Sequence, residues 1–235
     1  MRVLVTRSAE DAKGTAAELK ARGHEAHCVP LLEIEYEPNV DVPLHNAQAL
    51  LVTSANAIRG FANLSSRRDI PVLTVGSASA AATRELGFAN VDSADGNISA
   101  LAAKAARSYK VDQGLLIHLA GTHSAGDLVG ELTAQGFEVS RHVVYTARAV
   151  TQMPDALKAL LVSQPPALDG VLLYSKRTVF IFENLLRQAA RTETCQFFSA
   201  FCLSPSIADA AKSLTYQRIL VAVCPDEPAL LALLD

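Results

Sequence analysis

Apolar positions along this chain gather into short continuous runs, and each run is followed by a stretch with helical spacing. Val3-Leu4-Val5 leads into Ser8 as a helix cap, with Asp11 in the first turn and Ala12, Ala16 and Leu19 on one face. Gly23 ends that helix, and residues 24–30 resume as a strand, which makes a β-α-β unit. The same rhythm predicts a strand at Ala49–Thr53 with a helix at Asn56–Leu64, a strand at Val72–Val75 with a helix at Ser79–Leu86, and an amphipathic helix from Ile98 to Arg107. Strands that are apolar throughout are covered on both faces, so the pattern predicts parallel sheet flanked by helices.

The pattern then starts again. Residues 114–119, a Gly/Ser-rich turn, a helix at Ala125–Ala134 and the strand around Phe137 repeat the layout of residues 2–26, with Gly136 answering Gly23. Residues 170–175 answer 49–54, and residues 199–204 with the following helix answer 72–82. The offset drifts from about 113 to about 128, as loop insertions produce, and two copies of one α/β design predict a two-lobed protein. At about 100–200 residues per domain, 235 residues also fit two small domains. Residues 31–37 and 139–150 fall outside the rhythm and look extended. Each is a candidate crossing between lobes, and pairing them as a ribbon keeps either from being an exposed edge.

Charge and composition narrow the function classes. Lys plus Arg total 21 against 24 Asp plus Glu, a net charge of −3, so no bulk positive field draws nucleic acid, and an anionic ligand must be held by local groups. The N-terminus reaches Thr6, Arg7 and Glu10 after one short apolar run, too short for a signal peptide, and no apolar run approaches the roughly 18 residues of a membrane span. A cytoplasmic protein without a membrane partner is expected. Cys28, Cys195, Cys202 and Cys224 lack metal-site spacing, and three of them lie in apolar strand-like runs, so buried free thiols are expected.

In open parallel sheets, ligands bind at the carboxyl ends of strands, where loops lead into helix N-termini. Those loops here are Thr6–Ser8, Thr53–Asn56, Val75–Ser79, Ala120–Ser124, Tyr174–Thr178 and Leu203–Ser206, all small and hydroxyl-rich. Each hydroxyl serves either as an ordinary cap or as part of a cleft for a polyanionic small molecule. Dinucleotide, phosphate-loop, zinc-protease and nucleophile-elbow signatures are missing, and the turn at 121–126 lacks a phosphate-loop lysine. His24, His27 and Cys28, like His118 and His123, lack a tetrahedral complement and read as packed or surface histidines. Tyr145, in the crossing stretch, is either a core tyrosine or a phenol donating to a cleft ligand. Lys176 and Arg177 at one strand end, with Arg7 at another, are candidate carboxylate binders.

In order and spacing, these motifs resemble the uroporphyrinogen-III synthase family: the opening VLVTR, VPLLEIE at the first crossing, LLVTSANAI, VLTVGSASAAATRELGF with the following DGN, GFEVSRHVVYTA, and the late strand-helix pair ending in SIADAA. The resemblance covers essentially the whole chain. It implies two flavodoxin-like, doubly wound parallel-sheet domains joined by a two-stranded β-ladder. The domains are expected at residues 1–36 plus 150–235 and at 40–138, with linker strands at about 31–39 and 139–150. It implies a site between the domains, no metal or cofactor, and conversion of hydroxymethylbilane to uroporphyrinogen III with inversion of ring D through a spiro intermediate.

By that resemblance Tyr145 is a candidate proton donor but not an essential residue, and the family's turns fall on Thr53, Ser54 and Gly76. With the strand-end residues Arg7, Asn56, Ser77, Ser175, Lys176, Arg177, Ser204 and Ser206 they are the substrate-binding candidates, Arg59 being a weaker one. It also implies a monomer in heme biosynthesis, with transient contact to the preceding pathway enzyme. The chain departs from the family in carrying Ser175-Lys176-Arg177-Thr178 where a Ser-Pro turn is common, and Ser204 where Gly is usual. The alternative class is a non-catalytic two-lobed binding protein for a polyanionic small molecule.

Overall fold

The computed structural model describes all residues except Ser124, Ala125 and Gln164. In chain order the elements are β1 (Arg2–Val5), α1 (Ala9–Ala21), β2 (Glu25–Cys28), β3 (Leu32–Tyr36), β4 (Ala47–Val52), α2 (Ala55–Leu64), β5 (Val72–Thr74), α3 (Ser77–Glu85), β6 (Val91–Ser93), α4 (Ile98–Ser108) and β7 (Leu115–Gly121). They continue with α5 (Leu128–Thr133), β8 (Val139–Ala149), α6 (Asp155–Val162), β9 (Gly170–Leu173), α7 (Lys176–Gln188), β10 (Ser199–Cys202), α8 (Pro205–Ala211), β11 (Ile219–Val221) and α9 (Glu227–Leu231). Contacts divide the chain into a first unit, residues 1–33 and 148–235, and a second, residues 34–147.

The first unit holds a five-stranded sheet in the order β2-β1-β9-β10-β11, parallel throughout. Successive strand residues serve opposite faces. Leu4 and Val171 pack with Phe182 and Leu185 of α7, while Val3, Val5 and Leu172 pack with Leu19 of α1 and Leu230 of α9. Both faces are thus covered, which is why its central strands read as unbroken apolar runs.

The second unit's sheet runs β3-β8-β7-β4-β5-β6. Leu50, Val52 and Ile117 pack on Ile58 and Phe61 of α2, and Leu51 and Leu116 pack on Leu101 of α4 and Leu132 of α5. Close approach on the first face depends on Gly60, where a Cβ would stand 2.6 Å from the Val144 carbonyl oxygen.

The duplication is visible residue by residue. Val5 pairs with Cys28 as His118 pairs with Arg141, an offset of 113 in both strands. Val5 faces Leu172 as His118 faces Leu51, and Leu172 faces Phe201 as Leu51 faces Leu73, which gives offsets of 121 and 128 for the next two strands. The orders β2-β1-β9-β10-β11 and β8-β7-β4-β5-β6 are therefore one order, the 2-1-3-4-5 of flavodoxin-like sheets. Each sheet takes its first β-α-β from one copy and its remaining strands from the other. Gly23 and Gly136, which follow the equivalent helices, both have positive φ, 78° and 90°, the conformation that favours glycine at a helix end.

Several expectations need adjustment. The crossing stretches are β3 and β8, and they are neighbours, but β8 is not a ribbon strand alone: residues 139–145 pair in parallel with β7. The ladder continues the second sheet because β8 is the lengthened counterpart of β2. The helix expected at Ala125–Ala134 is α5, beginning at Leu128 under the cap of Asp127, whose carboxylate accepts from the Gly130 amide at 2.9 Å; Ala125 lies outside the described residues. Helix α3 starts two residues earlier than expected, at Ser77. Of the cysteines, Cys195 and Cys202 are buried, and burial pushes each thiol up to about 12. Cys28 and Cys224 are exposed, since they lie at or beyond the ends of β2 and β11.

Candidate functional site

Parallel pairing brings the loops after β1, β9 and β10 to one edge of the first sheet, and those after β7, β4 and β5 to one edge of the second. Every candidate named from sequence lies on one of these edges, except Tyr145, on β8, and Arg59, in α2.

In the second unit, Ser54 caps α2 and its hydroxyl accepts from the Asn56 amide at 3.2 Å. Asn56 is buried and accepts from Arg59 Nη1 at 3.1 Å, so Asn56 serves its own helix. Gly76 caps α3 with an extended backbone at φ −153°, and a Cβ added to it would meet nothing within 4 Å. Neither conformation nor packing within the described chain demands glycine there. Thr74 Oγ1 donates to the Gly76 carbonyl at 3.1 Å and fixes the turn, leaving Ser77 exposed at the helix start.

The Tyr145 ring lies against the backbone of Gly121, where an added Cβ would come within 2.6 Å of the ring. The Tyr145 carbonyl accepts from the Thr122 amide at 3.2 Å. Its hydroxyl makes no hydrogen bond among the described residues, and the residue is half-buried. On the neighbouring strand β7, in register with Arg141, His118 is 1% exposed. The His118 Nε2 is 3.5 Å from Thr53 Oγ1, and its Nδ1 is buried without a partner among the described residues. Burial first, and then the Arg141 guanidinium, hold its pKa down at about 4, so the imidazole is neutral at neutral pH. The loop expectation at Ala120–Ser124 extends to Ser124, outside the described residues.

In the first unit, Ser175 caps α7: its Oγ accepts from the Thr178 amide at 3.1 Å and lies 2.8 Å from Thr178 Oγ1. Lys176 is exposed and Arg177 half-buried. Ser204 caps α8 through backbone alone, followed by Pro205, and its Oγ is 3.2 Å from that of exposed Ser206. Ser204 is the counterpart of Gly76, 128 residues on, and its backbone is nearly the same: φ −152°, ψ 161° against φ −153°, ψ 168°. Serine there leaves the turn unchanged and adds a side chain where the other unit has open space.

Arg7, a candidate carboxylate binder, is paired with a carboxylate of its own chain. Its Nη1 donates to Glu227 Oε2 at 3.0 Å and to Thr15 Oγ1 at 3.3 Å, and its guanidinium stacks 4.3 Å from the centroid of the Tyr174 ring. Tyr174 and Thr15 both donate to the other oxygen of Glu227, the tyrosine at 2.8 Å. Burial disfavours the Arg7 charge, but Glu227, Tyr174 and Asp11 outweigh it and raise the pKa. Burial, and then Glu227, push the Tyr174 phenol above its ordinary range.

Sequence reasoning missed Thr15, Tyr174, Glu227 and the burial of His118. Thr15 alone left a local signal, a polar residue on the stripe of Ala12 and Leu19; Glu227 is brought to Arg7 from 220 residues away. Among the described residues no cluster of three His, Cys, Asp or Glu could hold a metal ion, and no helix is long and apolar enough to cross a membrane.

Two doubly wound α/β units, each with hydroxyl- and glycine-bearing turns at the carboxyl edge of its sheet, define an open-sheet ligand-binding protein. A family model described as uroporphyrinogen-III synthase HemD matches residues 13–232, and the chain belongs to that family. Among solved structures it is similar to uroporphyrinogen-III synthetase from Helicobacter pylori 26695, with TM-score 0.64 and 16% identity over 100% of this chain and 98% of that one. It is also similar to a mutant uroporphyrinogen III synthase from the extremely thermophilic bacterium Thermus thermophilus, with TM-score 0.54 and 16% identity over 100% and 97% of the two chains. At that identity the structures speak for the fold, and the family match carries the membership. No curated protein sequence gives a significant match.

Proposed function

We infer that the chain cyclises hydroxymethylbilane to uroporphyrinogen III with inversion of ring D. The observation that carries this reading is the family match across residues 13–232. Loss of the hydroxymethyl oxygen gives an azafulvene, whose attack at the substituted carbon of ring D forms a spiro intermediate that fragments and recloses inverted. The bilane closes unaided to the uninverted isomer, so the enzyme's task is to select a conformation and a reacting carbon.

Tyr145 is the proton donor to the departing hydroxyl. In support, its hydroxyl has no hydrogen bond among the described residues, and its ring is fixed against Gly121. Thr53, Ser54, Gly76 and Ser77 meet substrate carboxylates at the second unit's edge, and Ser175, Lys176, Arg177, Ser204 and Ser206 do so at the first's. The open space at Gly76, which no structural demand accounts for, supports a ligand reaching that backbone. The same reading makes the chain a monomeric cytoplasmic lyase of porphyrin biosynthesis that takes its bilane by transient contact with the enzyme before it.

Bilane consumption tests enzyme against binder. With hydroxymethylbilane generated in situ, and no added metal, nucleotide or reductant, the protein is expected to speed its disappearance above spontaneous closure. Slower disappearance marks a binder that sequesters the bilane, and overturns the reading.

A further inference from the structure

The first unit has the strand order in which ligands bind at the switch point between the first and third strands, here the crevice between the ends of β1 and β9. Arg7 stands at one side of that crevice and Tyr174 at the other. The two side chains stack, and against both lies the chain's own carboxylate. Glu227 takes a charged bond from Arg7, a phenol bond from Tyr174 and a hydroxyl bond from Thr15, so three donors from three separate elements or their ends converge on its two oxygens. An arginine stacked on a tyrosine, with two hydroxyl donors alongside, is a receptor for a carboxylate.

Glu227 is the more exposed member of the pair. It opens the five-residue helix α9, preceded by exposed Val223, Cys224 and Pro225, and its side chain is 28% exposed against 19% for Arg7. The receptor is built on α1 and on the turns that follow β1 and β9, while the carboxylate it holds comes from the first residue of the short helix α9.

We propose that Arg7, Thr15 and Tyr174 form a carboxylate-binding subsite that the chain's own Glu227 fills, and that a ligand carboxylate binds there by displacing it. For an octacarboxylate bilane, this reserves the subsite for a ligand whose other contacts are already made. The inference deepens the proposed function and rests on it for the identity of the carboxylate, not for the subsite itself.

The test is Glu227→Gln, which keeps shape and removes the competing charge. Binding of succinate, the minimal dicarboxylate probe, and of uroporphyrin, the oxidised cyclic product, is measured by calorimetry, with thermal unfolding followed in parallel. The variant is expected to bind both at least five-fold more tightly than the natural chain. Adding Thr15→Val to it is expected to remove most of the gain. Glu10→Gln removes the same charge from the first turn of α1, outside the cluster, and is expected to give less than a two-fold gain. Equal gains in the Glu10 and Glu227 variants mean a general field effect, and unchanged or weaker binding with lowered thermal stability means a purely structural ion pair; either overturns the proposal. Should Glu227→Gln fail to fold, Glu227→Asp, one methylene too short to meet all three donors, is expected to show a smaller gain of the same sign, and no gain overturns the proposal. A natural chain that makes no III isomer refutes the proposed function instead, and leaves the succinate result standing.

Discussion

The ring of Tyr145 occupies the volume that a side chain on Gly121 would need: a Cβ there would lie 2.6 Å from Cζ and 2.9 Å from the hydroxyl oxygen. Gly121 ends β7, and its φ is not in the left-handed region, so glycine is required by the tyrosine and not by the backbone. The phenol is positioned by an absent side chain on the neighbouring strand.

Tyr145→Phe is therefore expected to lower turnover by about one to two orders of magnitude with little change in thermal stability, as for a removed proton donor. Gly121→Ala is expected to lower turnover at least as far while leaving the hydroxyl in the molecule, because the ring must move. Steady-state kinetics with circular dichroism check both. Natural turnover in Tyr145→Phe would reduce the residue to packing.

Gly76 separates ligand binding from stability. Its φ of −153° suits any residue and a Cβ meets nothing within 4 Å, so Gly76→Ala is expected to change stability by less than about 1 kcal/mol, the entropy gain offset by alanine's poorer capping of α3. If the substrate approaches this backbone, KM rises about ten-fold in the same variant. An unchanged KM would remove the turn from the binding surface. Ser204→Gly, at the equivalent turn, is expected to act in reverse, lowering KM at a cost in stability of about 0.5–1 kcal/mol.

His118 sets an acid limit on stability. Its pKa of about 4 in the folded chain lies below the ordinary 6.5, because burial and Arg141 disfavour the charged ring. The unfolded chain takes up the proton first as pH falls, so stability is full above about pH 6.5, declines from there to about pH 4 and loses nothing further to this group below that. The total is on the order of 3 kcal/mol. Denaturant titrations of the natural chain and of His118→Leu check it: the variant is expected to lack the decline across that window. An equal decline in both would assign it to other groups.

Much of the fold was legible in the sequence because parallel strands buried on both faces cannot hide their composition. Val3–Val5, Leu50–Val52 and Val171–Leu173 are apolar without interruption, and each is followed by a small hydroxyl-bearing cap that starts a helix. The duplication was legible through Gly23 and Gly136, whose positive φ keeps both as glycine. Strands β6 and β11 were harder, being three residues each, with the central residue of β6 an aspartate.

The site was legible where it is local. Ser54 and Ser175 are caps that announce themselves by the helix that follows, and the turn at Gly76 lies between a strand and a helix that were both visible. It was not legible where it depends on distant pairing. Arg7 read as a carboxylate binder without a partner in the chain, because Tyr174 reaches it only once β1 and β9 are neighbours and Glu227 only once α9 packs on the same sheet face. His118 read only as a packed or surface histidine; its burial and its contact with Thr53 follow from the β4–β7 register, which no spacing discloses.

The central claim is that this chain directs closure of the bilane at the substituted carbon of ring D. Chromatographic separation of the type I and type III uroporphyrins, after oxidation of the products formed from hydroxymethylbilane in its presence, measures that choice directly. The III isomer is expected to dominate and to increase with protein concentration at the expense of the I isomer. Only the I isomer, at the spontaneous rate or below it, would contradict the claim.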